Sequence, residues 1–429
     1  MITTLTPTPT QDRMIELDLV RGLAVLGILT INIIGFAGPV YALYNPAFFG
    51  GHEGLDRLVF YIQDALFDGR MHGLLCLTFG AGLAMMIERA ERLNQDCTWA
   101  LHRRYFWLTI FGVAHVLLLQ MPGDILFDYG IVALLVWGFA RASSRKLVIA
   151  AISLLALVTV LELLSGHSEQ VEYQEMTALQ IARDQGQTLE SEQAEALDDW
   201  LDSPAAPGLT IERERAIRFV ERVQQADRWT RTFQVFWDQM VDALSFGFTD
   251  YYRLSIGATF LLGIVLYRNG FLTGKCSTRS YLLVLSAAGL AALATHVMTR
   301  QWAQTGFADD EFLLDYLWSA TYEANRLLVA LGWAALLILS LRWMGQTIVH
   351  RLLASAGQLA LTVHLTQTVI ATTLFFGWGF ALFGKLSRAE MVGVAFVIQI
   401  SLAVLAFLWL KRFKRGPMEV LWRRLQYRS

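Results

Sequence analysis

Long runs of apolar residues, each bounded by charged or turn-forming residues, dominate the pattern of this chain. A helix needs about 20 mostly apolar residues to span a hydrocarbon core of about 30 Å. Ten runs of this kind occur, at 18–38, 71–88, 105–121, 124–140, 147–164, 250–267, 281–299, 318–341, 357–383 and 391–410. The pattern therefore predicts an all-α, polytopic integral membrane helix bundle of about ten transmembrane helices.

Basic residues mark one side of this predicted bundle. Lys and Arg gather in alternate loops, and a strongly basic segment, 411–428, follows the last run. Cytoplasmic loops of membrane proteins carry the excess of Lys and Arg. We therefore expect both termini in the cytoplasm.

One long polar segment interrupts the pattern after the fifth run. Residues 165–249 are acidic and begin with a helical pattern, and Pro and Gly at 203–208 predict a break. The part at 233–248 is apolar but carries two aspartates, which suits an interfacial helix. We therefore divide the chain into a membrane half at 1–164, an acidic helical insert on the outer side at 165–249, and a second membrane half with a basic cytoplasmic tail at 250–429.

Composition supports a membrane protein and narrows its partners. Only 17% of the residues are charged and 55% are hydrophobic, whereas a soluble chain carries roughly a quarter charged residues. The net charge of −2 gives no reason to expect a nucleic acid as a partner. Three widely separated cysteines, without CxxC spacing, predict neither a disulfide nor a metal site. The expected partners are the lipid bilayer and a small-molecule or lipid substrate, and a homo-oligomer stays open.

The first run opens with the sequence ELDLVRG at 16–22. Asp18 and Arg21 stand three residues apart, so they share one face of a helix and can pair where it enters the membrane. Such a pair anchors a helix at the interface or contributes to a substrate-binding site. Both interpretations stay open at this point.

Five sequence blocks are spread over nearly the whole chain. They are ELDLVRGLAVLGILTIN at 16–32, FGAG at 79–82, GVAH at 112–115 followed by GDIL at 123–126, GQLALT at 357–362 and RGPMEVLWRR at 415–424. In this order they resemble the bacterial YeiB-like family, a group of inner-membrane proteins of unknown function. The resemblance implies a multi-pass protein of the bacterial inner membrane.

That family is distantly similar to two groups of membrane acyltransferases, the type-three group and the heparan glucosaminide acetyltransferase group. In the type-three group, a histidine fourteen residues after the aspartate of the opening motif is the expected catalytic base. Asn32 stands at that position here, and an amide cannot accept a proton at neutral pH. The heparan acetyltransferase group is similar in having asparagine there and a histidine further on, which makes His52 the matching candidate.

Polar residues from distant parts of the chain converge on the outer half of the predicted bundle. An ionisable residue inside a span is rare and usually faces a cavity or a partner. The predicted topology brings together Asn32, His72, His115, Asp124, Glu323 and Arg326. Each histidine alone is accounted for by a hydrogen bond between helices, but the set predicts a buried polar site.

His115 and Asp124 are the pair that we favour for chemistry. The short turn between them can bring the carboxylate to the imidazole, and a carboxylate fixes the tautomer of a general base. In this scheme His115 is the base, Asp124 orients it, and Asn32 holds the carbonyl oxygen or oxyanion. His364, in the ninth run, is either a substrate contact or a packing residue.

The resemblance implies an acyltransferase-like enzyme that passes an acyl group from cytoplasmic acyl-CoA to a substrate at the outer face. Arg21, Arg103 and Arg104 then form an entrance for the donor phosphates, although the last two fit a cytoplasmic loop better. No cofactor beyond that donor is implied. The alternative is a transporter or export factor for a small metabolite or lipid. A third candidate is a non-catalytic partner whose acidic insert docks another protein.

The predicted orientation can be tested with reporter fusions. A reporter that is active only in the cytoplasm should be active when it is fused after Ser429, because the basic tail at 411–428 favours that side. The same reporter inserted in the acidic segment should be silent. Activity of a periplasm-specific reporter at the C-terminus would reverse the predicted topology.

Overall fold

A computed structural model of the chain describes residues 14–202, 209–245, 251–304 and 312–427. The regular structure in these ranges is helical, which confirms the predicted all-α class. The first half contains α1 Ile15–Gly27, α2 Leu29–Ala37, α3 Tyr41–Tyr44, α4 Gly54–Leu66, α5 Arg70–Arg92, α6 Thr98–Leu119, α7 Leu126–Val136 and α8 Ser144–Asp184. The second half contains α9 Ser191–Asp202, α10 Leu209–Gln225, α11 Trp229–Val235, α12 Trp237–Leu244, α13 Tyr251–Arg268, α14 Thr278–Gln304, α15 Phe312–Met344, α16 Ile348–Gln358, α17 Ala360–Phe375, α18 Arg388–Arg412 and α19 Pro417–Tyr427.

Six helical segments of the described ranges are long and apolar enough to cross a membrane. They are Ile15–Ala37, Gly54–Arg92, Ser144–Asp184, Thr278–Gln304, Tyr316–Met344 and Arg388–Arg412. The other four predicted runs are also helical, in α6, α7, α13 and α16 with α17, but these helices are shorter or less apolar. The helical membrane bundle is therefore supported, and the count of about ten spans stays a prediction.

The polar segment after the fifth run is helical wherever the structure describes it. α8 continues without a break past residue 165, where the sequence placed a boundary. The break predicted at 203–208 and the end of the predicted interfacial segment at 233–248 lie outside the described residues. α11 and α12 cover most of that interfacial segment, and Phe236 between them stacks on Phe376 with ring centroids 5.1 Å apart. The later part of the segment thus packs against the apolar bundle.

A bundle helix is interrupted near the middle of its span. α16 gives way to α17 at Leu359, whose backbone leaves the helical dihedral angles, whereas Ile28 between α1 and α2 keeps them, so Ile15–Ala37 forms one span. The amide of Gln367 on α17 lies 3.5 Å from the carbonyl oxygen of Leu26, which places α17 against that span. Interrupted helices are tolerated at membrane depth where they are buried in protein or line a cavity.

Glycines allow α1 and α16 to pack with their backbones in contact. A Cβ atom on Gly22 would overlap the carbonyl oxygen of Leu353, and a Cβ atom on Gly357 would overlap that of Asp18. Small residues of this kind are the usual means of close helix approach in membranes. Gly80 serves the same purpose between α5 and α13, where a Cβ atom would overlap the carbonyl oxygen of Phe260.

Replacing Gly22 tests this contact. Gly22→Ala should lower the melting temperature of the purified protein, because the added methyl forces α1 away from α16 at an overpacking penalty of roughly 1–3 kcal/mol. Gly35→Ala is the matched control on the same span, since nothing lies within 4 Å of its Cβ position. Equal melting temperatures for the two variants would contradict the proposed close packing.

Candidate functional site

A cavity of about 290 Å³ opens at the end of the bundle where α1 begins. Its mouth carries four arginines, which are Arg21, Arg104, Arg415 and Arg423. Its inner wall is mostly apolar and ends at Tyr129 and His364. We call it the arginine cavity. It joins a cationic mouth to a histidine deep in the bundle.

The C-terminal helix α19 forms one wall of the arginine cavity. Trp422 donates its indole N–H to the Arg104 carbonyl oxygen at 2.9 Å, and the Arg104 guanidinium lies 3.8 Å from the centre of the Trp422 ring. Arg103 donates to the carbonyl oxygen of Leu425 at 3.0 Å. The basic composition of this tail predicted its orientation, and its sequence block pointed to the family. Neither signal predicted that Arg415, Glu419 and Arg423 line a cavity.

A carboxylate of α19 caps the start of α17. Glu419 accepts hydrogen bonds from the backbone N–H of Thr362 at 3.0 Å and from its hydroxyl at 2.6 Å. The first amides of a helix have no hydrogen-bond partner within the helix. The interruption at Leu359 leaves the Thr362 N–H in that position, and Glu419 accepts its hydrogen bond instead. Burial raises the pKa of Glu419 above its ordinary value, while the bonds from Thr362 oppose that shift. The cap fixes α17 two residues before His364.

The predicted pair His115 and Asp124 lies beyond the inner end of the cavity. His115 Nδ1 is 2.5 Å from Asp124 Oδ1, and His115 Nε2 is 2.8 Å from the hydroxyl oxygen of Thr368. The other carboxylate oxygen of Asp124 accepts the N–H of Phe127 at 3.0 Å, at the start of α7. Both ring nitrogens of His115 therefore have hydrogen-bond partners. Thr368 orients the imidazole, and the N–H of Phe127 orients the carboxylate.

His364 is the member of this group that lines the arginine cavity. Its ring meets that of His115 edge-on, with centroids 5.1 Å apart, and its Nε2 lies 3.6 Å from Asp124 Oδ1. Within the described part of the chain, neither ring nitrogen of His364 has a hydrogen-bond partner. We call His115, Asp124 and His364 the histidine cluster. The sequence left His364 open as a substrate contact or a packing residue.

The structure places the other predicted residues in several locations. Asp18 and Arg21 pair at 3.4 Å and both line the arginine cavity. Asn32 is half-buried in α2, and no hydrogen bond between described residues joins it to the histidine cluster. His52 precedes α4, with its Nε2 3.7 Å from a carboxylate oxygen of Glu53. The catalytic role of Asn32 and the binding role of His52 therefore stay predictions.

A second cavity, of about 570 Å³, lies further along the first span. Val25 lines the arginine cavity, whereas Ile31 lines this second one. Its walls carry five aromatic rings and four charged side chains, which are Phe60, Tyr251, Trp302, Trp318, Tyr322, Asp64, Asp68, Glu162 and Arg388. We call it the aromatic cavity. The two cavities thus enter the bundle from opposite ends.

The remaining predicted binding residues belong to a buried polar layer. Arg326 donates to Glu323 at 3.0 and 2.7 Å, and Ser255 donates to Glu323 at 2.7 Å. His72 Nε2 lies 2.8 Å from the hydroxyl oxygen of Tyr252. Cys76 lies 3.7 Å from His72 and donates to Tyr129, which lines the arginine cavity. These seven residues form what we call the polar belt.

The fold and the site define a class of protein. Helices long and apolar enough to cross a membrane enclose buried ion pairs and two cavities, which is the construction of a polytopic α-helical membrane protein with an internal polar site.

Sequence comparison then gives the family. The "Uncharacterized protein YeiB" of Escherichia coli (strain K12) is 31% identical over 97% of this chain and 97% of its own length. The "Uncharacterized protein YxaH" of Bacillus subtilis (strain 168) is 26% identical over 100% of this chain and 98% of its own. Residues 266–429 match the family described as "Protein of unknown function (DUF418)". The chain belongs to the YeiB-like family, which confirms the resemblance seen in the sequence blocks; the likeness to acyltransferases stays an expectation.

The pair Glu323 and Arg326 offers a test of the polar belt. Arg326→Met should destabilise the protein by roughly 3–5 kcal/mol, because it leaves a buried carboxylate without its partner. The double variant Glu323→Gln with Arg326→Met should recover most of that loss. Unfolding of the purified protein by heat or denaturant measures both changes.

An exposed ion pair supplies the control for these Arg326 and Glu323 variants. Arg231 and Asp227 pair at 2.8 Å but remain more than half exposed, at 57% and 63%. Arg231→Met should therefore change the stability by less than about 1 kcal/mol. If Arg326→Met is equally harmless, Glu323 and Arg326 do not depend on each other for stability.

Proposed function

We propose that this protein is an acyltransferase-like enzyme of the bacterial inner membrane. In this proposal it passes an acyl group from a cytoplasmic donor to a substrate at the outer face. One observation carries it: a single cavity connects four arginines at its mouth with His364, whose ring nitrogens make no hydrogen bond within 3.5 Å in the described part of the chain and whose nearest acceptor is Asp124 Oδ1 at 3.6 Å. A cationic mouth suits a phosphorylated donor, and a free imidazole suits proton transfer.

The donor is acyl-CoA in this proposal. Excess Lys and Arg in the same loops and tail support a cytoplasmic mouth. Arg21, Arg104 and Arg423 surround that mouth, and guanidinium groups bind phosphate oxygens through paired hydrogen bonds. The apolar inner wall, with Leu75 and Phe79, receives the uncharged arm that carries the thioester.

The histidine cluster supplies the proton acceptor. His364 takes the proton from the acceptor hydroxyl or amine as that group attacks the thioester carbonyl carbon. The tetrahedral intermediate then expels the CoA thiolate, which takes the same proton back from His364. Asp124, 3.6 Å from His364, stabilises the imidazolium formed between these steps, and His115 holds Asp124 in place.

This assignment moves the base from His115, which the sequence favoured, to His364. The reason is access, since His364 lines the arginine cavity whereas both ring nitrogens of His115 are already bonded. His115 becomes a positioning residue. Asn32 is left outside the scheme, because no hydrogen bond between described residues joins it to the cluster.

The aromatic cavity is the proposed acceptor site at the outer face. Its aromatic rings and its carboxylates, such as Asp64 and Glu162, suit a substrate with both apolar faces and hydroxyl or amino groups. Tyr129 of the polar belt lines the arginine cavity, and Tyr322, the residue before Glu323 of the belt, lines the aromatic cavity. Acyl transfer therefore takes place where the belt and the histidine cluster meet the inner end of the arginine cavity.

Binding of the donor gives the first test. CoA and acetyl-CoA should raise the melting temperature of the detergent-purified protein, and Arg21→Ala should weaken their binding by about tenfold or more, or about 1.4 kcal/mol. Arg412→Ala is the control, since Arg412 is an exposed arginine of the basic segment 411–428 and does not line the arginine cavity. If neither compound stabilises the wild type, the proposed donor site is wrong.

The second test concerns the base. His364→Gln should lower acyl transfer by about 10²–10⁴-fold, because glutamine keeps hydrogen bonding but cannot accept the proton. Stabilisation by CoA should persist in this variant, which shows that it folds and binds the donor. His115→Gln should lower the rate less, since His115 acts through Asp124. Release of free thiol from acetyl-CoA in the presence of membrane extract measures the reaction.

A carrier for a small metabolite or lipid is the second candidate. Two observations favour it: the cavities open at opposite ends of the bundle, and α16 and α17 are separated by an interruption at Leu359 whose neighbours line the arginine cavity. Carriers commonly place their binding sites at interrupted helices. Wild-type protein that binds CoA compounds but never releases thiol would favour this reading over the enzyme.

A further inference from the structure

The histidine cluster has the composition of a metal site. One ligand atom each from His115, Asp124 and His364 lies within 4.8 Å of the others, and all three residues are buried. They come from three different segments, namely α6, the turn before α7, and α17. Two imidazoles and one carboxylate are the protein ligands of many catalytic zinc sites.

The hydrogen bonds around the cluster orient its side chains so that the ligand atoms face one another, where the one bond between His115 Nδ1 and Asp124 Oδ1 would have to give way to the ion. His115 is fixed through Nε2 by Thr368, and Asp124 is fixed through Oδ2 by the N–H of Phe127. The atoms that remain, His115 Nδ1 and Asp124 Oδ1, are those that face each other. Metal-bound histidines and carboxylates are oriented by second contacts of this type. The Thr368 hydroxyl can accept the Nε2–H of a ring that binds metal through Nδ1.

The distances fit a tetrahedral ion after a small adjustment. With bonds of about 2.1 Å, two ligand atoms of tetrahedral Zn²⁺ lie roughly 3.4 Å apart. His364 Nε2 and Asp124 Oδ1 are already 3.6 Å apart. His115 Nδ1 and Asp124 Oδ1 are 2.5 Å apart, so they must separate by about 1 Å, replacing one shared proton with the ion.

His364 provides the strongest argument for a ligand. A buried imidazole without a close hydrogen bond is unfavourable, and neither of its ring nitrogens has a hydrogen-bond partner within 3.5 Å among the described residues, since Asp124 Oδ1 lies 3.6 Å from Nε2. An ion bound at Nε2 would satisfy it. Because His364 lines the arginine cavity, a fourth coordination position would open toward that cavity.

We infer that His115, Asp124 and His364 bind one divalent transition-metal ion, with Zn²⁺ as the ion that best suits this ligand set. The inference revises the expectation of no metal site, which rested on the spacing of the cysteines. It also changes one role in the proposed function on which it builds: with an ion bound, His364 is a ligand rather than the proton acceptor, and the ion would instead lower the pKa of a coordinated acceptor hydroxyl. Metal binding itself does not require acyl transfer.

The test uses full-length protein purified without chelators. Metal analysis should find about one zinc per chain, and Zn²⁺ added after treatment with a chelator should raise the melting temperature. Co²⁺ should give the visible absorption of a tetrahedral site, whereas Mg²⁺, which prefers six oxygen ligands, should give no shift.

Variants separate this site from other histidines. His364→Gln and Asp124→Asn should each lower Zn²⁺ affinity by about tenfold or more, with the loss read from titration rather than from activity. His102→Gln is the control, since His102 lies on the same helix as His115 and bonds only locally, to Thr98. If wild type binds no more Zn²⁺ than His364→Gln does, the inference is wrong.

The result is independent of the donor test. Stabilisation by CoA without zinc binding would overturn the metal site and leave the proposed enzyme intact. Zinc binding without any effect of CoA on the melting temperature would support the metal site and rule out CoA compounds as the acyl donor. A variant that fails to fold is recognised by its elution profile in detergent, and the wild-type titration with Zn²⁺ still decides the inference.

Discussion

The contact of Glu419 with the start of α17 holds the candidate site together. The interruption at Leu359 leaves amides of α17 without partners in an apolar surrounding. Glu419, on a helix about 57 positions away in sequence, accepts two hydrogen bonds from Thr362. That carboxylate joins α19 to α17 two residues before His364 and lines the arginine cavity. The contacts of Trp422 and Arg103 hold α19 against α6, so the mouth of the cavity depends on both sets of contacts and its inner end on Glu419.

Several buried charges in this bundle are matched in pairs. Arg326 binds Glu323, Arg253 binds Asp128 at 2.7 Å, and Asp124 holds His115. Removing either member of such a pair leaves a charge in a medium of low dielectric, whereas the intact pair is tolerated. Glu323 and Arg326 form such a pair, and their predicted binding role stays a prediction. His364 differs from them, because it is buried and lines a cavity without a hydrogen bond in the described chain.

Enzyme and carrier make different demands on the same architecture. An acyltransferase needs a donor site and a proton acceptor in one connected space, and we propose the arginine cavity and His364 for these roles. A carrier needs a site that opens to either side in turn, and the interruption between α16 and α17 suits that motion. The four arginines favour a ligand that carries phosphate, which the proposed enzyme requires in its donor and a carrier requires only when its cargo is anionic.

The apolar runs determine the helices of this protein, because a hydrocarbon core demands a length and composition that show in the sequence alone. The family and the pairing of His115 with Asp124 across a short turn are also local or compositional signals, readable from residues 16–32 and 112–126. The cavities are different. His364 joins Asp124, and α19 joins α6, through contacts between segments that are far apart in the chain. Depth along a span can be estimated from 1.5 Å per residue, but the direction in which a side chain faces is set by glycine contacts such as Gly22 with Leu353. Only the tertiary structure decides those directions, which is why Asn32 and His115 share a predicted depth without a described hydrogen bond between them.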